Sequence, residues 1–92
     1  MAFMFAHFEL DDYDSWKRDR FDQDPAGRRQ VAKAHQISRA VDDPRQVFIG
    51  VEFESVEDAT SFHERLMSSG VLEGINMKTP PTVVEVADAQ QY

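Results

Sequence analysis

The residues from Phe3 to Leu10 crowd apolar side chains onto both faces of a strand. Met4, Ala6 and Phe8 share one face, while Phe3 and Phe5 share the other with His7 and Glu9. A strand that is apolar on both sides has to be covered on both sides. The stretch Gln46 to Phe53 repeats the pattern: Val47, Ile49, Val51 and Phe53 alternate with Phe48, Gly50, Glu52 and then Glu54. The first set is expected to meet helices. The face bearing Phe3, Phe5 and Phe48 is too apolar to leave in water. A second copy of the chain, related by two-fold symmetry, is the simplest cover for it.

The rest of the chain places these strands in an order. Asp11-Asp12 supplies capping chemistry for a helix from about Asp12 to Gln23, with acidic residues suited to its first turn. Asp24-Pro25-Ala26-Gly27 breaks that helix, and a short helical segment from Arg28 to Ala32 follows. A strand is predicted from Lys33 to Val41, then a turn at Asp42-Asp43-Pro44-Arg45, then the strand Gln46 to Phe53. Ser55 caps a second helix over Val56 to Ser69, which Gly70 stops. Val71 to Met77 reads as short and irregular, and Pro80-Pro81 introduces a last strand, Thr82 to Val86. Phe8-Glu9-Leu10 before the first helix matches Phe53-Glu54-Ser55 before the second. The order β-α-β-β-α-β is a split βαβ arrangement. It predicts an α+β, ferredoxin-like antiparallel sheet with two helices on one face, as a single domain over residues 1–92.

Composition removes several functions. A net charge of −7 is wrong for nucleic acid, whose phosphates need a basic stripe, and for anionic membrane surfaces. No cysteine is present, so there is no disulfide, thiolate metal site or cysteine nucleophile. No apolar run approaches the ~20 residues of a membrane helix. Met1-Ala2-Phe3-Met4-Phe5 lacks the positive region of an export signal, so a cytoplasmic location is expected. There is no glycine-rich phosphate loop and no Gly-x-Ser-x-Gly elbow. His7, His35 and His63 lie on three separate elements without local ligand spacing, so neither metal nor cofactor is expected.

Some residues remain that suit acid–base chemistry on a small molecule. His7 sits mid-strand on the second sheet face with Glu9 two residues away and Glu52 as a prospective neighbour; an imidazole beside a carboxylate is a workable proton-transfer pair. His63 falls inside the apolar stripe of the second helix, among Val56, Ala59, Phe62, Leu66 and Met67, and is the other candidate base. On the first helix, Lys17 and Arg20 fall within the arc of Tyr13, Trp16 and Phe21, where their charges can reach an enolate oxygen or simply snorkel to water. Trp16 and Tyr13 are candidates to line an apolar pocket, and His35 shares its strand face with Ile37 and Arg39 as a further pocket residue.

The segments Asp12-Tyr13-Asp14-Ser15-Trp16-Lys17, Arg28-Arg29, Asp42-Asp43-Pro44 and Val51-Glu52-Phe53-Glu54-Ser55-Val56-Glu57-Asp58-Ala59 resemble the dimeric α+β barrel superfamily. In particular they resemble small bacterial proteins described as cyclase-like or antibiotic-biosynthesis-monooxygenase-like. The resemblance spans nearly the whole chain. It implies a homodimer and, as the leading function, a cofactor-independent enzyme that cyclises, oxygenates or isomerises a small aromatic or polyketide-like metabolite. A non-catalytic small-ligand-binding or accessory dimeric module is the second expectation, and haem binding or degradation, an activity the superfamily includes, is the third. No residue role is carried over from it.

Overall fold

The alternating stretches form a four-stranded antiparallel sheet in the computed structural model, which describes residues 1–92. The strands are β1 (Ala2–Glu9), β2 (Ala32–Arg39), β3 (Gln46–Phe53) and β4 (Asn76–Glu85), in the spatial order β2-β3-β1-β4. The helices are α1 (Tyr13–Asp19), α2 (Arg28–Val31) and α3 (Val56–Ser68), with a 3-10 turn at Phe21–Gln23. This is the ferredoxin-like βαββαβ topology. β1 pairs with β3 along its whole length, from Ala2 opposite Phe53 to Glu9 opposite Gln46.

That register puts Met4, Ala6, Phe8, Val47, Ile49, Val51 and Phe53 on the helix side, where all are buried. Trp16, Ala59 and Phe62 complete the core from the helices. Ser55 caps α3 by accepting from the Asp58 N–H at 3.1 Å. Gly70, at φ 78°, ends it in the left-handed conformation that a β-carbon would penalise. Phe5, half-exposed on the other face, lies across Gly50: a β-carbon at Gly50 would come within 2.9 Å of the Phe5 ring.

Most boundaries fall within one residue of expectation, and three elements differ by more. The first helix stops at Asp19, short of Gln23. In a continuous helix Phe21 would stand ~140° around the axis from Trp16, five residues at ~100° each. Breaking at Arg20 instead turns Phe21 onto Trp16, ring centroids 5.2 Å apart. Tertiary packing wins over local propensity. The second strand is framed one to two residues earlier, because the Ala40 N–H already closes the turn onto Gln46 O at 3.0 Å. The last strand starts at Asn76, well before Pro80-Pro81, so the prolines lie inside it. They are tolerated because β4 is an edge strand, whose outward N–H groups need no ladder partner. The ladder with β1 slips around them: Phe5 faces Thr82 and His7 faces Thr79, so Pro80 and Pro81 oppose the single residue Ala6.

Candidate functional site

Phe3, Phe5, His7 and Phe48 lie on the open face of the sheet, opposite the helices, and border a depression of about 520 Å³ with Gln36 and Glu52. This volume falls within the range of small-molecule sites, ~300–1,000 Å³. The Phe3 and Phe5 rings are stacked, with centroids 5.4 Å apart and planes 11° from parallel. His7 faces Phe48 across the β1–β3 ladder, and their rings stack at 4.2 Å and 20°. The result is an aromatic floor with one imidazole set into it.

The imidazole is held in a defined orientation. His7 Nε2 and Gln46 Oε1 are 2.7 Å apart. The Gln46 side-chain amide donates in turn to Asp43 Oδ2 at 3.2 Å, which assigns Oε1 as the acceptor for the His7 Nε2–H. Asp43 stays ionised: the Gln46 amide and then the Arg45 backbone N–H hold its carboxyl below the ordinary aspartate range. His7 Nδ1 has no hydrogen bond within the protein, so with Nε2 as the donor its lone pair is uncommitted. The expected partner for His7 was a carboxylate. Glu9 instead accepts from Asn76 Nδ2 at 3.0 Å and lies 3.4 Å from Lys78. Glu52 stands opposite Phe3, with Lys33 at 3.8 Å, too far along the strand to reach His7. The residues that orient His7, Gln46 and Asp43, were missed because an amide is not read as an acid–base partner. The short spacing of Asp43 and Gln46 across the β2–β3 turn was the available signal.

The other candidates lie on the helix side of the sheet, although His35 on β2 also borders the open-face depression. His63 Nε2 donates to the Pro81 carbonyl at 2.9 Å, so His63 and His7 cannot meet one small substrate. His35 pairs in register with Val51, and its ring meets Phe21 edge-on at 5.0 Å. Trp16 and Arg20 contribute to the wall of a second, apolar cavity of about 80 Å³ beneath α1 and α3. Arg20 also reaches the Val71 and Glu73 carbonyls, both at 3.4 Å. Lys17 is paired with Asp22, and Tyr13 carries the Arg39 guanidinium 4.5 Å above its ring. No three His, Asp or Glu side chains converge with metal-ligand spacing.

Partial burial, then the Arg28 and Lys17 charges, hold His35 below the ordinary histidine value of 6.5. The unfolded chain therefore binds more protons at this residue than the folded one as pH falls below about 6.5. Its contribution to stability is complete above that pH and is lost as pH drops through the folded value. A His35→Gln variant should show a melting temperature that falls less between neutral and mildly acidic pH than that of the parent chain. Parallel pH profiles would contradict this.

The fold and the open aromatic face define an α+β domain of ferredoxin-like type. No family model matches the chain, and no curated protein resembles it in sequence. Solved structures do match its fold. A candidate antibiotic biosynthesis monooxygenase from Nitrosomonas europaea is 15% identical, with a TM-score of 0.56 over 91% of this chain and 94% of that one. A second candidate of the same description, from Deinococcus radiodurans, is 11% identical, with a TM-score of 0.62 over 100% and 98%. An antibiotic biosynthesis monooxygenase is 12% identical, with a TM-score of 0.55 over 98% and 100%. At these identities the likeness is one of fold.

Proposed function

We propose that the protein is a homodimeric, cofactor-independent enzyme that removes a proton from a small aromatic or polyketide-like metabolite on the open sheet face. The observation that carries this is the fixed imidazole of His7, with Nδ1 uncommitted, set among stacked rings in a depression of ligand size. A planar substrate lies against Phe3, Phe5 and Phe48. His7 Nδ1 takes a proton from a phenol or from carbon between two carbonyls. The Gln46–Asp43 relay fixes the ring and steadies the imidazolium that forms. The resulting phenolate or enolate can attack, through carbon, a carbonyl of the same molecule, be reprotonated elsewhere, or react with dioxygen. The descriptions of the fold neighbours support the last of these as the class of chemistry to test first.

A second copy supplies the roof. Only 14 of the 92 residues are buried, a small core that gains from covering this face. The rim carries both signs, Glu9 with Arg45 and Lys78 at one end and Glu52 with Lys33 at the other. Two copies can therefore approach although each has a net charge of −7.

The test is exchange of the acidic C–H of a 1,3-diketone into deuterated water, followed by NMR. His7→Ala should lower the enzymatic rate by roughly 10²-fold or more, and Gln46→Leu by a smaller factor with the pH profile displaced. Full activity in His7→Ala would end the reading of His7 as the base.

A further inference from the structure

A carboxylate stands at the far end of the open-face depression from His7. Glu52 lies opposite Phe3 on β1 and Ala34 on β2, and its side chain is 26% exposed. It accepts no hydrogen bond from the protein: its one ion-pair partner, Lys33, is 3.8 Å away and lies closer to Glu54, at 3.3 Å. An ionised carboxylate is an acceptor on both oxygens, and those of Glu52 are left for a donor from outside the chain.

The surroundings favour a cation as that donor. Among the residues bordering the depression Glu52 is the one carboxylate, and no lysine or arginine is with it. The stacked rings of Phe3 and Phe5 border the same end, and the face of an aromatic ring attracts a cation. A free carboxylic acid would instead meet a like charge there, which selects against it. Between the two ends the Phe5 ring lies across Gly50, where no side chain rises from β3, and forms a flat floor. The distance sets the length of the ligand. Glu52 is four positions along β3 from Phe48, which faces His7, or ~14 Å at ~3.4 Å per residue. Contacts of ~3 Å at each end bring the span of the ligand itself to roughly 8–12 Å.

We propose that the substrate of the open face is an elongated aromatic amine, with its acidic C–H or phenol at His7, its ring over Phe5 and Gly50, and its ammonium against Glu52 and Phe3. Glu52 is then the residue that decides which substrates are taken. This rests on the reading of the open face as the place of proton removal, and binding and exchange are therefore measured separately.

Two acetoacetanilides separate charge from shape. One carries a para-dimethylaminomethyl group, protonated at neutral pH, and the other a para-isobutyl group of the same heavy-atom skeleton. Each is titrated into the full chain by calorimetry, and exchange of its acidic C–H into deuterated water is followed by NMR. The amine is expected to bind about ten-fold more tightly to the parent chain, as a cation over aromatic rings beside a carboxylate allows. In Glu52→Gln the two affinities should converge to within about two-fold, whereas Glu52→Asp keeps part of the preference. Equal binding, weaker binding of the amine, or no binding to the parent chain would overturn the cationic substrate class, whatever the exchange rates. A ten-fold preference that survives in Glu52→Gln would overturn the role of Glu52. A ten-fold preference without exchange of either compound would uphold the cation site and remove proton transfer at His7. The parent comparison stands even if a variant fails to fold.

Discussion

A Phe5→Asp/Phe48→Asp double variant is expected to sediment as a monomer at concentrations where the parent chain sediments as a dimer. Phe5 and Phe48 are 48% and 44% exposed within one protomer. Substitutions at such positions typically change the stability of a single folded unit by no more than about 0.5 kcal/mol. Two partly covered aromatic rings at the centre of an interface are worth far more to association, about 2 kcal/mol or more each where they act as hot spots. Four introduced carboxylates would also meet across a two-fold axis. Circular dichroism should report an intact fold beside the changed mass. A parent chain that is monomeric at high micromolar concentration would remove the roof from the proposed site, and so would a double variant that stays dimeric.

The second large effect is in the core. Phe53→Ala is expected to cost about 3–5 kcal/mol in urea denaturation, as for other buried phenylalanines cut to alanine. Phe53 is 0% exposed, pairs with Ala2 on β1, and packs against Phe62 of α3 with ring centroids 5.7 Å apart. It therefore joins the sheet to its main helix at one end of the hydrophobic layer. A domain of this size has ~5–15 kcal/mol in total, so the loss is a large fraction of its stability. If folding and association are coupled, the cost will depend on protein concentration, and both chains must be compared at the same one. A loss under about 1 kcal/mol would mean that the core closes over the gap, contrary to its tight burial.

The two-sided character of β1 and β3 was legible because side-chain alternation in a strand follows directly from backbone geometry. Val47, Ile49 and Val51 inside, and Phe48 outside, needed no tertiary information. The end of α1 was not legible, since Phe21 turns inward only because Trp16 and Arg28 are there to meet it. For the same reason the burial of Arg28, in a short helical segment, was not legible. Its burial comes from Phe21, seven residues earlier, and from a cavity closed by α3. The Asp24–Arg28 spacing of four residues was the one local sign that the side chain had a fixed place. His7 was picked out by its position in the strand, whereas its partner depended on the turn that carries Gln46 next to it.

The two adjacent prolines in β4 bear on how this protein assembles. A bare sheet edge invites another strand to add to it, and the process can continue into fibrils. Pro80 and Pro81 have no N–H to offer, and the bulged ladder beside them breaks the straight run that strand addition requires. Growth of the sheet through this edge is thereby blocked. The proposed two-fold pair on the broad face would, by contrast, close on itself and leave nothing to propagate.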